Sequence, residues 1–263
     1  MPEMPEVEAV CSKLRGAVGR RIVAVKAPRC ATPAVRRSAP GRTIDRVDRR
    51  GKHILVRLSG DKTLHVHLRM TGNFYPVPDH RLHPANARVV FALDNGSGLV
   101  FEDTRALGRM ELAGSPRLDA ALERQLGAEP LSAAFSVDHL IAEATASRQT
   151  GKIFLMDQRR VAGLGNIYAA EALYRAGIDP RRSIQGFRRK RLERLHFSIV
   201  RILEDAVQSA CIAYSGPGEF AEAESFPLAV YGMEGEPCHS CGRVIRRIAQ
   251  GGRSTYFCPG CQR

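Results

Sequence analysis

No apolar run in this sequence approaches the ~18 residues that a membrane-spanning helix needs. The first residues are acidic and lack the apolar stretch of a signal peptide. There is no internal repeat and no low-complexity tract. These absences lead us to expect a soluble cytoplasmic protein. Acidic residues are scarce as well: 27 Asp and Glu stand against 40 Lys and Arg, for a net charge of +13. A field of that sign attracts polyanions, nucleic acid first among them. No single basic amphipathic helix dominates, which ranks an anionic membrane surface well below nucleic acid. What is present is ordinary: 263 residues, 44% of them hydrophobic, enough for one large domain or two medium ones with a real core.

The texture changes along the chain. After Pro5, Val7, Val10, Leu14 and Val18 recur at helical spacing, and Gly19 stands where a helix stop belongs. Short strand patterns follow in "RIVAV", "KHILVRL", "TLHVHLRM" and "GRMEL", and "ARVVFALDNGSGLVFED" reads as a hairpin around Asn95-Gly96. One helix and many short antiparallel strands predict a β-sandwich over residues 1–115. Residues 116–227 read as helical, with a long amphipathic segment marked by Leu192, Leu195, Ile199, Leu203, Ala206 and Ala210. "YSGPGEFAEAESFP" reads as a loop. Residues 228–263 form a third, cysteine-bearing module. The fold class expected is α+β.

Of seven cysteines, Cys11, Cys30 and Cys211 are scattered. The rest form Cys238-x2-Cys241, sixteen intervening residues, and Cys258-x2-Cys261. Two such pairs complete a tetrahedron of thiolates around one zinc, with no open position for water, so the metal is structural. His239 lies inside the first knuckle, where four thiolates leave it no vacancy. "RVIRRIAQGGRSTYF" resembles a small β-hairpin whose tip carries Arg253. A hairpin of this size has little core of its own and needs the metal to hold it.

The opening "MPEMPEVEAV" raises a question. Pro5 suits the first turn of a helix, and Glu6 and Glu8 suit its positive end. Pro2 and Glu3 are left without a structural task. "PEMPEVE", "RRGKHIL", "HLRMTG", "GLGNIYAAEALYRAGIDP", "VYGMEGEPC" and "RSTYFCPGCQR" occur in this order from one end of the chain to the other. Together they resemble the formamidopyrimidine glycosylase/endonuclease VIII family, and the Met4 position resembles the formamidopyrimidine branch.

The resemblance implies a β-sandwich, a helix–two-turn–helix domain and a zinc hairpin, with damaged duplex DNA between them. It also implies a bifunctional DNA glycosylase and abasic-site lyase of base excision repair, acting as a monomer beside the nucleoid. Removal of Met1 would leave Pro2 as a terminal secondary amine. An α-amine titrates near ~8, so it is partly unprotonated at neutral pH. Its attack on C1′ of a damaged nucleotide gives an iminium, an electron sink for strand cleavage by elimination. Glu3 follows as the proton-transfer partner. Glu6 either orders this turn or complements the helix dipole.

An enzyme that extracts a base from the duplex needs further devices. Lys52, Asn166 and Arg253 match family positions that grip phosphates around the flipped nucleotide, with Lys152 a fourth candidate. Gly163 and Gly165 permit close backbone approach to phosphate. Met70 matches the wedge that fills the vacated space, with a core methionine as the alternative, and Arg105 matches the arginine facing the orphaned base.

The sequence departs from the family at several points. Leu107 stands for the usual Phe, Ala106 for a commonly basic residue, Arg69 for Gly and Met233 for Arg. The loop before Phe226 is shorter and lacks the family's Gly-Gly opening. Seven basic residues and one acid, Glu193, fill 181–194. They make either a second DNA-facing surface or a solvated helix face. Two other functions remain compatible with the sequence: an endonuclease VIII-like enzyme for oxidised pyrimidines, and a silent damaged-DNA-binding protein.

Overall fold

The computed structural model describes residues 1–26, 33–217 and 226–263. In chain order the elements are α1 (Met4–Leu14), β1 (Ile22–Lys26), α2 (Pro33–Ser38), β2 (Ile44–Arg50), β3 (His53–Leu58), β4 (Lys62–His67), β5 (Gly72–Val77), β6 (Ala87–Leu93), β7 (Gly98–Asp103) and β8 (Arg109–Gly114). Then come α3 (Ser115–Gln125), α4 (Val137–Thr145), α5 (Gly151–Met156), α6 (Asn166–Arg175), α7 (Arg189–Ala213), β9 (Arg246–Gln250) and β10 (Arg253–Phe257). Among the described residues no helix is long and apolar enough to cross a membrane.

The strands form two four-stranded antiparallel sheets, ordered β1-β6-β7-β5 and β2-β3-β4-β8. Alternation explains how they pack. Ile54 and Val56 on β3, Leu64 and Val66 on β4, and Phe91 and Phe101 on β6 and β7 enter one shared core. Phe74 sits between Phe91 and Phe101 with ring centroids 6.1 Å from each. Such aromatic pairs add ~0.5–1.5 kcal/mol beyond area burial. The buried face of α1, with Val7, Val10, Cys11 and Leu14, joins the same core. Burial pushes the Cys11 thiol up to about 12, so it is a packing residue.

The expected strands are present, and β2 and β5 are additions. β2 ("IDRVDRR") escaped notice because charged residues fill its exposed face.

The chain divides into two compact units, Met1–Arg124 with Val207–Glu224, and Gln125–Ala206 with Ser225–Arg263. A boundary at 115 was expected, but α3 belongs with the sandwich. Ser115 Oγ lies 2.8 Å from Thr63 Oγ1, and Arg57 pairs with Asp119 at 2.8 Å. The cysteine module, expected to stand apart, shares a core with the helices. Ala170 and Tyr174 of α6 pack against Val230, Ile245, Cys238 and Cys258. Glu171, buried on α6, accepts the backbone N–H groups of Ala229, Val230 and Tyr231 at 2.8–3.0 Å. That carboxylate anchors the segment leading into the module.

Candidate functional site

Pro2 is buried, Glu3 is 2% exposed and Glu6 is 1% exposed. Glu3 is the N-cap of α1. The Glu6 Oε2 accepts its backbone N–H at 2.8 Å, and the Glu3 side chain accepts the N–H of Glu6. This reciprocal capping box fixes the chain immediately behind Pro2. Glu6 therefore orders the turn, the first of its two readings.

Lys52 sits on the β2–β3 turn, where Arg50 pairs with His53 across Gly51 at φ 56°. It is only 5% exposed. Beside it lies a histidine cluster that sequence reasoning did not assemble. His53 and His67 are directly opposed across β3 and β4, and His65 opposes Glu111 across β4 and β8. Glu111 Oε1 is 2.8 Å from His65 Nδ1, and His65 Nε2 is 2.8 Å from His53 Nδ1. An ionised carboxylate only accepts, so His65 presents its Nδ1 proton to Glu111, and its Nε2 shares one proton with His53 Nδ1. His67 Nδ1 accepts the N–H of Arg69 at 3.0 Å, which places its proton on Nε2. Burial, then His67 and His65, pushes His53 down to about 3 from an ordinary 6.5. Burial, then Arg69 and Lys52, pushes His67 down to about 4. Both rings are neutral at physiological pH.

The residues expected to form the wedge project. Met70 is 43% exposed and Leu107 44%, and Arg105 is exposed. The alternative of a core methionine is thereby removed: β4 ends at His67, before the alternation would have turned Met70 inward. Arg69 adopts φ 59° and Ala106 φ 56°, left-handed conformations that favour glycine. Gly72 closes the same turn. A Cβ there would lie 2.4 Å from the Leu68 carbonyl oxygen. One residue joins the two loops. Asp103 is fully buried, and its Oδ1 accepts from the Thr71 hydroxyl and, at 3.3 Å, from the Arg105 N–H. Its Oδ2 accepts the Gly108 N–H at 2.6 Å.

In the second unit, Asn166 opens α6 after the loop 157–165. Gln158 organises that loop, donating to the Met156 and Leu164 carbonyls and accepting the Gly163 N–H. Lys152 was expected at the DNA surface. It is instead 1% exposed, and its Nζ donates to the Asn166 carbonyl at 2.9 Å. Burial of the ammonium was invisible in a charged letter. The Asn166 amide donates to the Ser254 carbonyl at 3.0 Å, next to Arg253 on β10. Gly251 and Gly252, at φ 55° and 72°, form a tight turn of the type I′ kind that presents Arg253, exposed, at the hairpin tip. Lys152, Asn166 and Arg253 are thus one assembly.

The four predicted cysteines converge, their Sγ atoms all within 4.8 Å of one another. Cys238 to Cys261 is 3.8 Å and Cys241 to Cys258 is 3.4 Å. Zinc–sulfur bonds of ~2.3 Å in a tetrahedron put sulfurs about 3.8 Å apart, so the donor set fits zinc. Gln262, unnoticed in the sequence, secures the second knuckle. Its Oε1 accepts the Cys258 N–H and its Nε2 donates to the Ile178 carbonyl, both at 2.8 Å. Tyr174 places its hydroxyl 3.3 Å from Cys238 Sγ. Met233, whose role was open, packs against this core.

Residues 1–110 match the formamidopyrimidine-DNA glycosylase N-terminal domain, 126–215 the formamidopyrimidine-DNA glycosylase H2TH domain, and 235–263 a zinc finger found in FPG and IleRS. The chain is 40% identical over 278 residues to a formamidopyrimidine-DNA glycosylase from Xanthomonas euvesicatoria, covering all of both chains. It is 37% identical over 274 residues to one from Streptococcus pneumoniae, covering all of this chain and 99% of that one. A crystal structure of wild-type Lactococcus lactis Fpg (MutM) with DNA containing N7-benzyl-Fapy-dG superposes with a TM-score of 0.90, at 31% identity and full coverage of both chains. With these matches over the whole chain, and with the buried Pro2–Glu3 turn, the linked Met70 and Leu107 loops, the Asn166–Arg253 assembly and the four-thiolate centre on the same scaffold, the chain belongs to the formamidopyrimidine-DNA glycosylase family.

Proposed function

We propose that this protein is a base-excision-repair glycosylase and abasic-site lyase that uses Pro2 as its nucleophile on oxidised bases in duplex DNA. The observation that carries this reading is the capping box. It holds the first turn of α1 directly behind Pro2, and both Pro2 and Glu3 are buried, so removal of Met1 would leave a terminal amine on a fixed turn next in sequence to the Glu3 carboxyl.

With Met1 removed, the Pro2 nitrogen attacks C1′ of the extruded nucleotide. The glycosidic bond breaks, and Glu3 manages the proton transfers that open the sugar. The resulting iminium acidifies the C2′ proton, and elimination releases the 3′ phosphate. Asn166, Arg253 and Lys52 grip backbone phosphates, with Lys152 a positioning residue through its bond to the Asn166 carbonyl. Met70 and Leu107 enter the vacated stack, and Arg105 meets the orphaned base. One structural zinc holds the hairpin. The work takes place in the bacterial cytoplasm, on nucleoid DNA.

Lesion choice follows from Leu107 and from the shortened loop, which lies largely outside the described residues. Less chain covers the flipped base, and each hydrogen-bonded contact to a base edge is worth ~1–3 kcal/mol. Formamidopyrimidines and abasic sites are therefore processed more efficiently than 8-oxoguanine, with a weak preference for cytosine opposite. Borohydride should trap the protein on a damaged or abasic duplex through its N-terminal peptide, and protein retaining Met1 should not be trapped. Trapping at an internal lysine would overturn the assignment. Single-turnover excision across lesions tests the preference, and strong selectivity for 8-oxoguanine opposite cytosine would refute it.

A further inference from the structure

The basic run 181–194 has no part in the chemistry above. It surrounds a cavity of about 390 Å³ lined by Arg182, Phe187, Arg188, Lys190, Arg191 and Arg194. The volume lies within the ~300–1,000 Å³ range of ligand sites. Among the described residues, five cations line it and no acid does. The acids nearest in sequence are already engaged: Asp179 accepts both ends of the Arg181 guanidinium, and Glu193 pairs with Arg189, as does the more distant Asp138.

Two of the five cations are held in place. Arg191 donates to the carbonyls of Arg263 and, at 3.4 Å, Gly177, and Arg194 donates to the Ala176 carbonyl at 2.8 Å. The guanidiniums of Arg191 and Arg182 lie 5.0 and 6.0 Å from the Phe187 ring centroid, within cation–π range. Among the described residues, Arg182, Arg188, Lys190 and Arg194 have no carboxylate side chain as a salt-bridge partner.

The cluster also stands at the start of α7, the positive end of that helix dipole, and the first turn contains no acid. Burial, then Arg182 and Arg194, lowers the pKa of Arg191, as expected where like charges crowd. A freely solvated helix face would separate these charges. Here backbone bonds and an aromatic ring hold them together, an arrangement that an anion relieves.

The cavity is at the far end of α6 from Asn166. Ala176 and Gly177 follow the last turn of that ten-residue helix, about 15 Å along its axis from the first. A phosphate held by Asn166 and Arg253 is therefore not the one that reaches this pocket. We propose that the Arg182–Arg194 pocket is a second phosphate site, which binds the backbone of undamaged duplex DNA away from the lesion clamp. The proposal rests on the DNA-repair reading of this chain, and its test is kept separate from excision.

Affinity of the full-length protein for undamaged duplex is measured between 50 and 200 mM salt, for the wild type and for Arg188→Ala/Lys190→Ala. Both of these side chains are exposed. An Arg36→Ala/Arg37→Ala variant, also altered at exposed residues, removes the same charge from α2. Each lost phosphate contact flattens the logarithmic salt slope by ~0.9. The pocket variant should lose up to two such steps and about tenfold in affinity at 50 mM salt, and Arg188→Lys/Lys190→Arg should restore both. Single-turnover excision from a short lesion duplex at saturating enzyme should be unchanged in all variants. Wild-type protein inactive in that assay would overturn the catalytic reading alone, since the salt slopes would still report on the pocket.

Equal flattening in the α2 control would show a general field and overturn the proposal, as would an unchanged slope in the pocket variant. Titration with tripolyphosphate separates the remaining source. Binding of tripolyphosphate that the pocket variant abolishes, with DNA slopes unaltered, would assign the site to soluble polyphosphate and overturn the DNA assignment.

Discussion

The proposed wedge loops of the first unit and the proposed phosphate clamp of the second are held by different chemistry. Met70 and Leu107 are apolar, half exposed and carried on loops with left-handed Arg69 and Ala106, tied together by the Asp103 carboxylate. Asn166 and Arg253 are polar. They are set by a zinc-bound hairpin, by Lys152 beneath the Asn166 carbonyl and by the Glu171 anchor. A loop that must enter a base stack needs reach, so it keeps few bonds and stores backbone strain. A group that must meet a phosphate needs a fixed position, so its supports are many.

The largest effect should come from breaking the metal centre. Cys258→Ser, or chelation of zinc, should unfold the hairpin and remove both Arg253 and the Ser254 contact to Asn166. We expect roughly a hundredfold loss of affinity for a lesion-analogue duplex and a flatter salt slope. Zinc-free protein that binds DNA as before would end this account of the clamp.

Next in size is Asp103→Ala, which strips the partner from three donors at once. Bonds to a buried charge are worth ~1.5–3 kcal/mol, and donors left unpaired add to the loss, so denaturant melts should show about 3 kcal/mol of destabilisation. Excision should fall with zinc content unchanged, because the damage stays in the first unit.

Acid should also act through the histidines. The pKa values of His53 and His67 are lowered in the fold, so below about 6.5 the unfolded chain binds protons that the folded chain refuses. Stability contributed by these rings is whole above 6.5 and is lost as pH falls toward 4 and 3. Melting temperature measured along that range should drop less steeply in His53→Gln than in the wild type. Parallel curves would mean that the rings are not held neutral.

The smallest effect is a gain. A left-handed non-glycine residue costs ~1–2 kcal/mol, and glycine costs ~0.5–1 kcal/mol in unfolded-state entropy. Arg69→Gly should therefore stabilise the protein by about 0.5 kcal/mol in denaturant titration, and a loss would show that the Arg69 side chain contributes more than its strain.

Residues whose chemistry announces itself were legible in sequence. The cysteine pairs had metal spacing, and Pro2, Glu3, Asn166 and Arg253 stood out through the motifs of the resemblance, although the structural task of Glu3 as the N-cap of α1 went unseen. Strand composition marked β3, alternation marked β4, and the Asn95-Gly96 turn marked the β6–β7 hairpin. The supports were not legible. Asp103, Glu171, Gln158 and Gln262 are ordinary polar letters until the fold brings donors to them, three of those donors on Glu171 from residues 58 or more positions away. The His53–His65–Glu111 chain exists only through the register of β3, β4 and β8. Lys152 shows the converse: a charge belongs on the surface by default, and only packing reveals it as internal.

The clasp at Asp103 has a kinetic meaning. One carboxylate accepts from Thr71, beside Met70, and from Arg105 and Gly108, on either side of Leu107. Neither loop can move without tension on the other. On the proposed wedge role, interrogation of a base pair is then a concerted event, in which a soft, damaged step yields to both side chains together and a sound one rejects both.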